Sequence, residues 1–330
     1  MLKDYRVVFT KPEEADLIVK EFDETVAEGE IWGENVVSLI STGSERGGLT
    51  SHYDSSVYPM QTGYCSIARV KGVGKGVTGF KAGDLFYHSG YHTRFVKVKE
   101  EEAIALPENC VPEKVLFGRF AAVSMTSMFH SVSKPVDQVV VTGLGMVGLM
   151  GAQILQNFGY RVYGIDPSTE RRVIAEKVGV CNVAESIEAW PALRGKAAVL
   201  YECSGNEQAM HVVIPYMKKG GELFQIGVPW KKTSEWDAHT LLNEIFYGFL
   251  SLHGGWEWSI PRKDDDFHSH SNESHIKTAM ELIAEDKVRV IEEMYELRSP
   301  KECAQVYAEI MIPRMKPTSV MFDWRNFEED

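Results

Sequence analysis

The segment from Gln138 to Asp166 restricts the possible folds of this chain more than any other. It reads Gln138-Val-Val-Val-Thr142, then Gly143-Leu-Gly-Met-Val-Gly148, an apolar run to Phe158, Gly159, and Arg161-Val-Tyr-Gly-Ile-Asp166. The β-branched run fits a strand, Met146 to Phe158 fits a buried helix with Gly159 as its left-handed terminator, and a second strand ends on a carboxylate. A glycine triplet alone is a weak signal; strand, triplet, helix, strand and acid in this order describe a dinucleotide-binding unit. Gly143 permits the tight turn, Gly145 lets a pyrophosphate approach the backbone, and Gly148 lets helix and strand pack closely. The free N–H groups at the helix start, around Met146, Val147 and Gly148, and the helix dipole favour the phosphates.

Asp166 is placed to hydrogen-bond a ribose diol and to repel a 2′-phosphate, and Pro167 and Ser168 follow where an NADP-type site would want arginine. NAD is therefore the expected cofactor, with NADP kept open by Arg171 and Arg172, which read otherwise as exposed helix residues. Two later strands, Val199–Gly205 and Glu222–Pro229, end in small residues, as expected where the C-terminal edge of a sheet meets a ligand. They bring Cys203, Ser204 and Gly227 to the nucleotide. Cys203 reads as a small packed residue, since no histidine adjoins it in sequence to activate a thiol.

Before this unit the pattern differs. Short β-branched runs broken by glycine (Tyr5–Phe9, Ala15–Glu21, Asn35–Ile40, Ser66–Val70, Asp84–Tyr87, Arg94–Val98) indicate an irregular all-β region. After Pro112 a long helix-compatible stretch, Val115–Val132, leads into strands that alternate with helical segments to about Gly254, which implies a parallel sheet with helices on both faces. The fold class is thus α/β. With 330 residues, 44% of them hydrophobic, two domains are expected.

Composition excludes several functions. The net charge is −12, and no Lys/Arg-rich stretch could follow a phosphate backbone or an anionic membrane, so nucleic acid and membranes are not expected partners. Five scattered cysteines, with no C-x-x-C pair, read as reduced thiols of a cytoplasmic protein. No apolar segment reaches the roughly 18 residues of a membrane span.

Several stretches together resemble the medium-chain dehydrogenase/reductase superfamily of zinc-type alcohol dehydrogenases and quinone reductases: Gly72–Asp84, Gly143–Gly148, Ala175–Gly179, Cys203–Gly205 and Lys219–Pro229. The resemblance runs nearly end to end. It implies a GroES-like β domain from residues 1–120 and 258–330, a Rossmann domain from 121–257, a substrate cleft at their junction, and homodimers or homotetramers paired through the Rossmann sheet edge. Zinc members carry a cysteine, a Gly-His-Glu motif and a third cysteine or acid. Here Ser41-Thr-Gly-Ser-Glu45 stands at the first position, Gly63-Tyr-Cys65 replaces the second, and the third falls in the largely apolar stretch 121–128. The four-cysteine structural lobe is missing too. The Ser-Thr-Gly-Ser-Glu variant resembles a zinc-ligand-deficient branch that includes bacteriochlorophyllide dehydrogenase-like proteins. No catalytic zinc is expected.

Without zinc, hydride transfer still needs a proton donor or acceptor at the substrate oxygen. Tyr64, at the position of the family's ligand histidine, is the first candidate and His92 the second. Ser44 and Glu45 could relay a proton or bind a hydroxyl, while His130 reads as a satisfied buried histidine. The polar set Ser44, Glu45, His52, Tyr53, Tyr64 and His92 suggests a small polar substrate. The expected function is zinc-independent, NAD-dependent interconversion of a secondary alcohol and a ketone on a polyol, cyclitol or sugar derivative. The rival readings are a quinone or enoyl reductase and a non-catalytic NAD-binding protein.

Overall fold

Tyr5, Val7 and Phe9 stand two residues apart, so an extended chain puts all three on one face. In the computed structural model, which describes residues 1–52, 56–254, 257–312 and 319–329, they lie in β1 (Leu2–Lys11) and are buried in one cluster with Ile40 and Leu49. β2 (Glu14–Phe22), β3 (Glu30–Leu39), α1 (Thr42–Leu49), β4 (Met60–Gln61), β5 (Ser66–Val73), β6 (Leu85–His88), β7 (Phe95–Lys99), β8 (Ile104–Ala105) and the short helix α2 (Pro112–Val115) follow. β2, β1 and β4 form one antiparallel sheet, and β3, β5, β6 and β8 form the body of a second, with β7 also paired to β3. The β-rich reading of this region holds, and each expected run coincides with a strand to within one residue, Ile40, Asp84 and Arg94 lying just outside.

The second unit begins with α3 (Gly118–His130) and runs β9 (Gln138–Thr142), α4 (Met146–Asn157), β10 (Arg161–Ile165), α5 (Thr169–Lys177), β11 (Asn182–Ala184), β12 (Ala197–Glu202), α6 (Glu207–Val213), β13 (Met217–Gln225), α7 (Ala238–Gly248), β14 (Ser251–Gly254) and α8 (Asn272–Ala284). Its sheet order is β11-β10-β9-β12-β13-β14, and every neighbouring pair is parallel. β12 is buried at each of its positions, as a strand covered on both faces must be. The order reverses between β9 and β12, so their C-terminal ends flank the crevice where such a sheet takes a ligand.

The chain then returns to the first unit through β15 (Tyr295–Arg298), α9 (Cys303–Ile310) and β16 (Ser319–Asp323). β16 pairs with β3, and Tyr307, Phe322 and Trp324 join the core around Phe9. The architecture is a GroES-like β unit and a Rossmann unit.

The units divide at Leu116/Phe117 and Ile291/Glu292, which corrects the expected return at residue 258. The reason is α8: Ile276, Ala279, Met280 and Ile283 are buried, and the Cβ of any larger residue at Gly118 in α3 would lie 2.8 Å from Met280 Cγ. The helix expected over Val115–Val132 is also two, α2 and α3, parted at the buried Leu116 and Phe117.

Candidate functional site

In the Rossmann unit the glycine turn joins β9 to α4. Gly143 has φ +80°, and a Cβ there would sit 2.8 Å from Ser204; a Cβ on Gly148 would stand 1.9 Å from the Gly143 carbonyl oxygen. Gly145, the N-cap of α4, brings no capping side chain, and a Cβ on it would meet nothing nearer than Arg171 Nη1 at 4.0 Å. Gly145, Met146 and Val147 are half-buried at the start of α4, and no N-cap side chain takes the N–H groups of that first turn. A pyrophosphate fits this cradle: the backbone there is uncrowded and the helix dipole is favourable.

Asp166 stands at the end of β10, buried. Its Oδ2 accepts the Leu144 N–H (2.8 Å) and the Arg171 guanidinium (3.2 Å), and its Oδ1 accepts the Ser168 N–H (2.8 Å). Arg171, one of the two arginines that keep NADP open, forms an ion pair with Asp166, which offsets the repulsion that the carboxylate alone would exert on a 2′-phosphate. Arg171 is thus no idle surface residue. α5 presents it there because Ser168 caps that helix, its hydroxyl accepting the Arg171 N–H.

Beyond the switch point, Cys203, Ser204 and Gly227 cluster as the strand ends predicted. Burial and the neighbouring Glu202 push the Cys203 thiol well up, consistent with a packed residue and not a nucleophile. Sequence reasoning missed Glu202, Thr142 and Gln225, which meet beneath these residues. The available signal was a lone carboxylate ending the otherwise apolar Val199-Leu-Tyr-Glu202.

In the β unit, α1 and the strand ends bring Glu45 and His92 together, but inside the core. Glu45 Oε1 accepts the Ser41 N–H (2.7 Å), while its Oε2 accepts from Thr62 Oγ1 (2.8 Å), the Tyr307 phenol (2.5 Å) and His92 Nε2 (3.1 Å). His92 Nδ1 meets Ser38 Oγ at 2.8 Å, and that oxygen also accepts Trp324 Nε1–H. Burial works against charge on Glu45, yet the pairing with His92 and the hydrogen bonds from His92, Tyr307 and Thr62 outweigh it and hold the carboxyl below its ordinary range. Burial first, and then Glu45, push the Tyr307 phenol well up, so it remains a donor. His92 is 0% exposed and Glu45 4%. Direct contact of either with a substrate is thereby corrected: both are enclosed.

Tyr64 and Ser44 are different. Both are half-buried, and the Tyr64 phenol donates to Ser41 Oγ at 2.5 Å. His52 is exposed and paired with Thr50, and Tyr53 lies outside the described residues. His130 is not buried; it ends α3 on the surface and bonds Ser259 Oγ at 2.9 Å.

The β unit's donors do not fit zinc. Ser41 offers a hydroxyl occupied by Tyr64, the Glu45 oxygens are filled by four donors, and the fully buried Cys65 thiol points to the Leu116 carbonyl at 3.6 Å. Among the described residues no three His, Cys, Asp or Glu side chains are grouped to hold a metal.

Fold and site together define a two-unit α/β protein with a dinucleotide cradle at the switch point of its parallel sheet. Residues 146–256 match the zinc-binding dehydrogenase family model. The chain is 26% identical over 192 residues to the zinc-type alcohol dehydrogenase-like protein YphC of Escherichia coli, covering 54% of this chain and 52% of that protein. It is 28% identical over 165 residues to an L-threonine 3-dehydrogenase of Saccharopolyspora erythraea, covering 47% and 48%. Galactitol-1-phosphate dehydrogenase from Escherichia coli shares the fold, with a TM-score of 0.78 at 19% identity over 97% of this chain and 99% of that one. The chain spans about half the length of the curated relatives it matches. Over residues 146–256 the chain thus matches the zinc-type dehydrogenase family, and it is similar to zinc-type medium-chain dehydrogenases over about half its length.

Proposed function

We propose that this protein is a nicotinamide-dependent oxidoreductase that interconverts a secondary alcohol and a ketone on a small polar metabolite, a polyol, cyclitol or sugar derivative, without zinc. The reading is supported by one pairing of observations: an open dinucleotide cradle at Gly143–Gly148, and a β unit in which the Ser41 hydroxyl, the Glu45 carboxylate and the Cys65 thiol are all engaged with protein groups. Relatives named for threonine and galactitol phosphate support a hydroxylated, polar substrate.

The bound nicotinamide supplies or receives the hydride. The chain's residues then have to hold the cofactor and move one proton at the substrate oxygen. Gly143, Gly145, Met146, Val147 and Gly148 hold the pyrophosphate, Asp166 the adenosine ribose, and Cys203, Ser204 and Gly227 line the other half. Tyr64 is the proposed proton donor in the reducing direction: its phenol proton, held on Ser41 Oγ at rest, passes to the substrate oxygen, and the Ser41 hydroxyl turns to donate to the phenolate left behind; Ser44 is placed to bind a substrate hydroxyl. Glu45 and His92 act as positioning residues, fixing α1 and so Ser41 and Ser44. NAD is the proposed first cofactor, and the Arg171–Asp166 ion pair makes NADP(H) an acceptable second.

We further propose a homodimer or homotetramer in the cytoplasm, where five free cysteines would stay reduced. No described helix is long and apolar enough to cross a membrane. The deciding experiment measures metal by plasma mass spectrometry on protein purified without chelator or affinity metal, alongside NADH-linked turnover on a panel of polyols and ketoses. Turnover with well under one zinc per chain is the expected result. About one tightly held zinc per chain would sink the metal-free mechanism, and tight NADH binding with no turnover on any panel member would point to a non-catalytic binder.

A further inference from the structure

Beneath the switch-point crevice lies a carboxylate that the glycine motif does not include. Glu202, the last residue of β12, is 0% exposed. Its Oε1 accepts the Ser204 N–H at 2.8 Å and the hydroxyls of Ser204 and Thr142; its Oε2 accepts the Gly205 N–H at 3.0 Å and the Gln225 side-chain amide at 2.7 Å. The Glu202 carbonyl takes the N–H groups of Ile226 and Gly227 at 2.8 and 2.7 Å. One residue thus ties together the ends of β9, β12 and β13.

The loops it gathers have no slack. A Cβ on Gly143 would lie 2.8 Å from Ser204, and a Cβ on Gly227 would lie 2.3 Å from the Gly205 nitrogen. Gln225 adds a second strap, donating to the Gly227 carbonyl at 2.6 Å. A carboxylate suits this place because it only accepts. In the amide isostere one terminal atom becomes an NH2 group, which would face either the Ser204 N–H or the Gly205 N–H, and a backbone N–H cannot reverse its role.

We propose that Glu202 is a positioning residue for the nicotinamide half of the bound dinucleotide: it fixes the loops after β12 and β13 against the glycine turn, so that the site is preformed on that side. The inference rests on the nucleotide-binding reading above. A sheet of this order takes the two halves of a dinucleotide on either side of its switch point. Asp166 and β10 serve the adenosine side, whereas Glu202 and Gln225 lie on the other. The prediction is therefore selective by half of the ligand, which a general loss of structure would not be.

The test is calorimetric titration of the full chain, wild type, Glu202→Gln and Gln225→Met, with NADH and separately with 5′-AMP. Glu202→Gln should raise the NADH Kd by about tenfold or more while the 5′-AMP Kd stays within about twofold; Gln225→Met should move the same way by a smaller factor. Wild-type NADH affinity in a folded Glu202→Gln protein overturns the proposal, as does an equal loss of NADH and 5′-AMP. If Glu202→Gln does not fold by circular dichroism, Gln225→Met decides, and an unchanged NADH Kd there overturns it. A wild-type chain that binds neither ligand removes the nucleotide reading itself, a failure visible before any variant is compared.

Discussion

Glu45 collects most of the buried polarity of the β unit, since Thr62, Tyr307, His92 and the Ser41 N–H all donate to it. Removing its charge leaves donors facing an amide and His92 without its partner, so Glu45→Gln should cost about 3 kcal/mol in urea unfolding at neutral pH, the scale for breaking a buried pair. The pH dependence has a definite sign. The folded carboxyl sits below its unfolded value of about 4.3, so the unfolded chain binds the extra proton. The stabilisation is present above that value and is lost as pH falls through the folded one. The gap in stability between wild type and Glu45→Gln should narrow as the urea titration is repeated from pH 6 down towards pH 3. A gap independent of pH would show that the charge contributes nothing. Tyr64 makes a separate prediction: Tyr64→Phe should lower kcat by about 100-fold or more, the range of a lost general acid, with the NADH Kd unchanged. Full turnover in that variant would instead favour a reductase whose product takes its proton from solvent.

At the scale of elements, the β9–α4 turn depends on backbone that side chains would obstruct. Gly148→Ala would put a methyl 1.9 Å from the Gly143 carbonyl oxygen, closer than any packing tolerates, so the helix start must shift away from the strand. The variant should stay folded, because the β9 and α4 interiors are otherwise untouched, yet bind NADH at least tenfold more weakly by fluorescence titration. Equal affinity would mean that the turn does not carry the pyrophosphate. α7 raises a different question. None of its residues is buried, although Leu242, Phe246 and Tyr247 are 64%, 74% and 70% exposed. β14, the edge strand of the parallel sheet, adds the exposed Leu252.

At the scale of the molecule, that apolar face fits the proposed self-association, since monomers seldom leave such a patch in water. Light scattering on the wild type should give a dimer or tetramer, and Phe246→Lys with Tyr247→Lys should shift it towards monomer with the circular dichroism spectrum unchanged. A wild type that is already monomeric would remove the proposal. The sequence alone determined the parts of this protein that depend on neighbours along the chain: the strands, the glycine turn, the helix after it, and Asp166 at its strand end. Periodicity and turn chemistry are local, so a single sequence displays them. Only the tertiary structure decided that Arg171 pairs with Asp166, that His92 and Glu45 face each other inside the core with Tyr307 from 262 residues away, that α8 stays with the Rossmann unit, and that Glu202 gathers three strand ends. Those outcomes depend on which distant groups end up buried together, and burial sets whether a carboxylate is a surface acid, a ligand or a structural anion.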